Sequence, residues 1–181
     1  GAGGPRPRTG GARRSYDRVG TALAEAGFAV LGADHRGHGR STGLRGHVDG
    51  FAQYVGDLRA VVDCARAEVG EELPWFLFAH SMGGLVGITY LLDASLPQPR
   101  GAIVSNPLLG VAVEAPAVKL AAAKVLSRLL PRLRLSNEID SKLICRDPQV
   151  VADYDADPLV HGVVSTRWYT SLLAAIEAAN A

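Results

Sequence analysis

The chain predicts an α/β fold, a parallel sheet core with a helical cap insertion. Three observations predict it. Short apolar runs at Phe28–Ala33, Trp75–Ala79 and Ala102–Ser105 alternate with segments of helical period. Such alternation joins strands through right-handed crossovers into a parallel sheet covered on both faces. The second run empties into His80-Ser81-Met82-Gly83-Gly84, a turn of small residues between a buried strand and a helix. After Pro107 the alternation stops, and an Ala/Leu/Val-rich, mostly helical stretch follows, expected to lie over the sheet at about residues 108–164.

Taken in order, Gly1 to Arg14 hold five Gly, two Pro and four Arg. With so few apolar side chains they cannot offset the entropy of ordering and are expected to form a tail, residues 1–14. The folded part is expected over residues 15–181. Ser15 is placed as a helix cap, Val19, Leu23 and Ala26 as one helical face, and Gly27 as the stop. Phe28–Ala33 is expected as a buried strand that opens into the polar, glycine-rich loop 34–43. Val55, Leu58, Val61, Val62, Ala65 and Val69 recur at helical spacing before Gly70. The serine turn and its helix follow the strand at Trp75. Pro116 opens a helix to about Leu130, and Ser165 starts a last one with Trp168, Leu172, Ile176 and Ala179 on one face.

Bulk properties narrow the function classes. The 181 residues are 48% hydrophobic, enough for one domain with a sizeable core. Nineteen Lys and Arg against 18 Asp and Glu leave no global charge to attract nucleic acid. Cys64 and Cys145 stand in no metal or redox spacing and read as two buried thiols in a reducing compartment. No apolar run approaches the roughly 18–20 residues that span a bilayer, and the Arg/Gly/Pro-rich start has no signal-peptide core. The sequence is therefore read as that of a cytoplasmic protein.

Ser81 is the candidate nucleophile. A serine is an ordinary alcohol until a strained turn exposes it, a base takes its proton and N–H donors await the oxyanion. Ala79 and Gly83 are small enough to let strand and helix backbones approach, and the Met82 backbone N–H at the helix start is the candidate oxyanion donor. His35, His38 and His47 share one region but lack the grammar of a zinc site, so no metal is assigned. Asp34 and the loop glycines are instead read as structural. Asp157 and His161, four apart, form a weaker local acid–base candidate in the cap exit.

Asp34-His35-Arg36-Gly37-His38-Gly39-Arg40-Ser41, His80-Ser81-Met82-Gly83-Gly84 and Ser105-Asn106-Pro107 together resemble the monoacylglycerol lipase and lysophospholipase group of α/β-hydrolases, filed with serine aminopeptidase S33-like domains. The resemblance runs from about Tyr16 to Ala181. It continues through Asn137-Glu138-Ile139-Asp140 and Asp155-Ala156-Asp157-Pro158-Leu159-Val160 in the cap exit. It implies a partial α/β-hydrolase fold and a serine hydrolase that cleaves esters of single-chain lipids without a cofactor. It also implies a triad Asp and His after the cap in chain order, and neither is present in this chain. Ala181 lies in an apolar helical pattern without a stop signal, which leads to an expectation of C-terminal truncation. The family's His-Gly segment before the first helix is replaced here by Gly/Arg/Pro-rich sequence. Gly10–Ser15 shifted by one nucleotide can spell a segment similar to it, so a frame anomaly in the gene is expected.

Lys119, Lys124, Arg128, Arg132 and Arg134 decorate the cap helix and its exit, with no acidic residue between Glu114 and Glu138. This basic cap is read either as a peripheral contact with an anionic membrane or as a solvated face. For the chain as a whole the alternative to a lipid-ester hydrolase is an inactive fragment or lipid-binding remnant.

Overall fold

The computed structural model describes residues 14–111, 117–137 and 140–181. The chain divides into two compact units, one of Gly1–His47 with Arg134–Val164 and one of Val48–Leu133 with Ser165–Ala181.

In the first unit, α1 (Arg14–Glu25) ends as its sequence dictates. Gly27 adopts φ +92°, its N–H bonds Ala24 O at 3.0 Å, and Phe28 N–H bonds Leu23 O at 3.1 Å, closing the last turn. Because α1 already includes Arg14, Ser15 lies inside its first turn and is not its cap. Nothing in Arg14-Ser15 opposes a helix, and both residues are helical. The expected buried strand Phe28–Ala33 is not formed. Gly32 alone makes an isolated bridge, and Phe28 is exposed. An apolar run becomes a strand only where a neighbour completes its ladder, and regular pairing along this run is confined to the Gly32 bridge. The 34–43 loop is held by Asp34, whose carboxylate accepts from Arg40 N at 2.8 Å and whose carbonyl accepts from Ser41 Oγ at 2.7 Å. Toward the end of the chain come β3 (Arg134–Ser136), a 3-10 turn at Ser141–Leu143, α5 (Pro148–Ala156) and β4 (Val163–Ser165). β3 pairs with β4. Asp140 and Asp147 cap the 3-10 turn and α5 through Lys142 N and Gln149 N.

The second unit carries the main core. It contains α2 (Ala52–Val69), β1 (Phe76–His80), α3 (Met82–Leu92), β2 (Gly101–Ser105), α4 (Ala117–Leu129) and α6 (Thr166–Ala179). β1 and β2 pair in parallel, from Phe76 opposite Gly101 to His80 opposite Ser105. Leu77 and Ala79 turn toward α3, where Gly87 lets the helix approach: a β-carbon on it would meet Leu77 Cδ2 at 3.1 Å and Ala79 Cβ at 3.2 Å. Phe76, Phe78 and Ile103 lie exposed on the strands. Both-face coverage of the sheet is therefore not met among the described residues, because α2 and α6 pack on the helix α3. Val48, Phe51, Tyr54, Leu85, Val86, Leu172 and Ile176 form the core.

α6 follows its sequence pattern closely. The Ser165 side chain accepts from Trp168 N at 3.1 Å, Leu172 and Ile176 are buried, and Trp168 and Ala179 pack against the core. On α2 the Tyr54–Val62 face is buried, which leaves Cys64 exposed two residues on. Cys145 is half-buried, so the two thiols are not the buried pair expected. Among the described residues no helix is long and apolar enough to cross a membrane.

Candidate active site

Ser81 occupies the single residue between β1 and α3. Its backbone takes φ +54° and ψ −123°, a conformation that costs about 1–3 kcal/mol and persists only where the surroundings impose it. They do. Ser81 N–H bonds the carbonyl of Ser105 at 3.1 Å, at the end of β2. The Ser81 carbonyl accepts from Leu85 N at 3.2 Å, the first turn of α3, and from Leu108 N at 3.0 Å. The strand, the helix and the turn after β2 each hold one bond to this residue.

Close packing beneath the turn depends on two glycines that the sequence reading did not single out. Gly84 lies under the Asn106-Pro107 turn, where a β-carbon would sit 2.9 Å from Pro107 Cα and 3.3 Å from Val104 Cγ1. Gly87 sets the helix on the strand as described above. The signal was present in the sequence as glycines one and two helical turns past the serine.

The result exposes the Ser81 side chain, and its hydroxyl has no hydrogen-bond partner among the described residues. Met82 is the first residue of α3, so its N–H has no helical acceptor and stands at the positive end of the helix. His80 precedes the serine and pairs through Nδ1 with Ser105 Oγ at 3.3 Å, which ties the ends of β1 and β2 side chain to side chain.

The other histidines have separate partners. His161 Nε2 donates to the Gly37 carbonyl at 2.9 Å, and its ring lies 4.7 Å from that of His38. His38 Nδ1 donates to Arg36 O at 3.1 Å. Burial lowers the His38 pKa, the Arg36 bond opposes that, and His161, His35 and Arg45 reinforce it. Asp157 does not pair with His161: its carboxylate accepts from Leu159 N at 2.9 Å, a local turn bond that a carboxylate beside its own backbone makes readily. The local acid–base pair considered at these two positions is thus corrected. Among the described residues no three His, Cys, Asp or Glu side chains converge as a metal site.

Residues 8–181 match the family model described as serine aminopeptidase, S33 (Hydrolase_4). The chain belongs to this family. Within the S33 family it is 40% identical over 147 residues to a monoacylglycerol lipase of Mycolicibacterium smegmatis, covering 81% of this chain and 51% of that protein. It is 34% identical over 154 residues to phospholipase YtpA of Bacillus subtilis, covering 85% and 58%. The crystal structure of Paleococcus ferrophilus monoacylglycerol lipase superposes with a TM-score of 0.76 at 36% identity, covering 94% of this chain and 63% of that one. This S33 chain therefore carries a partial α/β-hydrolase fold, and its relatives include lipid-ester hydrolases by name. It spans about half the length of the two curated relatives.

Proposed function

We propose that the protein is a carboxylic ester hydrolase of single-chain lipids, monoacylglycerol or lysophospholipid, with Ser81 as its nucleophile. The observation that carries the proposal is the strained serine at the strand–helix turn, its hydroxyl outward and the Met82 N–H beside it at the helix start. Ser81 Oγ attacks the acyl carbonyl carbon while a base takes its proton, and the carbonyl oxygen becomes an oxyanion that the Met82 N–H stabilises. Collapse breaks the ester C–O bond and the alcohol leaves with that proton. Water then attacks the acyl-serine and releases the fatty acid. The base and the acid that orients it are assigned to no residue of this chain, and in the order Ser, Asp, His they would follow the cap.

A fluorophosphonate probe tests the reading. The purified protein is expected to label, and Ser81→Ala to remove the label. Folded protein that does not label, or a Ser81→Ala variant that labels equally, would instead favour a non-catalytic lipid-binding remnant.

One observation favours peripheral membrane contact through α4. Among the described side chains of α4, Ser127 is the buried one, and its hydroxyl shares a 2.8 Å hydrogen bond with Thr170 of α6. Away from that face Val118, Val125 and Leu129 are exposed, 80% in the case of Val118, with exposed Lys124 and Arg128 beside them. An apolar stripe flanked by cations suits the interface of an anionic bilayer. Flotation with phosphatidylserine-containing vesicles is expected to carry the protein up, and Lys124→Glu with Arg128→Glu to leave it at the bottom. Unchanged flotation of the double variant rejects the contact.

A further inference from the structure

Two residues besides glycine have positive φ among the described residues, Ser81 at +54° and Asn106 at +42°, and Ser105 and Leu108 on either side of Asn106 both hydrogen-bond Ser81. The second is not explained by its side chain. The Asn106 amide makes no hydrogen bond among the described residues and the residue is exposed, so what the position uses is its backbone. Asparagine tolerates the left-handed region better than other residues with a β-carbon, whereas a β-branched residue is a true outlier there.

What the left-handed bend accomplishes can be followed atom by atom. β2 ends at Ser105, whose carbonyl has just accepted from Ser81 N. A chain continuing in extended form would run on past the serine turn. The bend at Asn106 instead brings Pro107 down onto Gly84 and returns the Leu108 N–H to the Ser81 carbonyl at 3.0 Å. Proline restricts its predecessor and disfavours the α region there, so the bend is not what Asn-Pro adopts by default. It is held by the contact it makes. Removing the Leu108 bond would leave the Ser81 carbonyl with its α3 bond alone and free the serine backbone to relax from its strained shape.

We propose that Asn106 is a positioning residue, whose left-handed backbone carries the Leu108 amide onto the Ser81 carbonyl and thereby holds Ser81 in its strained turn. It rests on the reading of Ser81 as the nucleophile, and deepens it by giving a residue on β2's exit control over where the hydroxyl points.

The test compares Asn106→Gly, which adopts positive φ freely, with Asn106→Val, which does not, in the full chain; Asn106→Ala is carried along in case the valine variant does not fold. Three quantities are read: the rate of fluorophosphonate labelling at saturating probe, the reversible probe affinity, and hydrogen exchange at the Leu108 amide. The glycine variant is expected to label within about twofold of wild type. The valine variant should label about tenfold slower with reversible affinity unchanged, and its Leu108 amide should exchange faster by a similar factor, alanine falling between. A glycine variant as slow as the valine variant overturns the proposal, because it assigns the effect to the asparagine side chain. If wild type itself fails to label, the nucleophile reading has failed separately, and amide exchange alone decides. Leu108 protected in wild type and Asn106→Gly but open in Asn106→Val supports the hold on the turn, and equal exchange in all of them refutes it.

Discussion

A β-carbon on Gly84 would lie 2.9 Å from the Cα of Pro107. That separation is shorter than real β-carbons tolerate, and the atom it meets is backbone, which cannot swing aside. Gly84→Ala must therefore push α3 away from the turn after β2 and strain the bonds that converge on Ser81. An overpacked core site typically costs about 1–3 kcal/mol. Urea denaturation of Gly84→Ala should show a loss of that size. A change within a few tenths of a kcal/mol would mean that the helix and turn are not locked together as described.

A polar link joins two helices of the core beneath the site. Trp168 Nε1 of α6 donates to the Tyr54 hydroxyl of α2 at 3.1 Å, and Tyr54 is 0% exposed. Tyr54→Phe removes the acceptor and leaves a part-buried indole N–H without it, a loss of about 1–3 kcal/mol. Leu172→Ala, in the same core, deletes three buried carbons and should cost about 2–5 kcal/mol. Thermal or urea unfolding ranks the two, and Tyr54→Phe as stable as wild type would show that the hydrogen bond contributes nothing.

The sequence was most legible where structure is decided locally. The start of the last helix near Ser165, the Trp168–Leu172–Ile176–Ala179 face and the Gly27 stop are each specified within a few residues, and each is found in the structure. Phe28–Ala33 failed for the opposite reason, since a strand is a property of two chains side by side and an apolar run carries no information about its neighbour. Cys64 was legible in principle: two residues after Val62 is about 200° around a helix, away from the buried face. In the site, the strand–turn–helix position of Ser81 could be read from an apolar run meeting small residues. The glycine at position 84 could be seen in the same motif, but what it and Asn106 do could not, because their roles lie in contacts between segments more than twenty residues apart.

His38 gives the first unit a pH dependence with a definite sign. Burial is the leading cause that lowers its pKa from 6.5 in the folded chain. Between the unfolded value and the lower folded one, the unfolded chain binds more protons, so stability rises with pH. The His38 contribution is complete above about 6.5 and is lost as pH falls through that value toward the folded pKa. His38→Gln cannot take up a proton. Urea midpoints measured from pH 5 to 7.5 should therefore slope upward in wild type and less so in the variant. Parallel slopes would remove His38 as the source.

Ser81 itself sets stability against activity. Its φ of +54° is a strained backbone for any residue with a β-carbon, and glycine adopts it at no steric cost. Ser81→Ala keeps the β-carbon and therefore the strain, while Ser81→Gly releases it. Relief of about 1–3 kcal/mol, reduced by the larger unfolded-state entropy of glycine, leaves the glycine variant ahead by about 1 kcal/mol. Both variants lose the hydroxyl and both should lose fluorophosphonate labelling, so the stability gap cannot be attributed to activity. Urea midpoints in parallel decide it. A glycine variant no more stable than the alanine variant would show that the turn carries no strain. A more stable one would mean that the fold maintains an unfavourable backbone in order to keep a hydroxyl presented at this position.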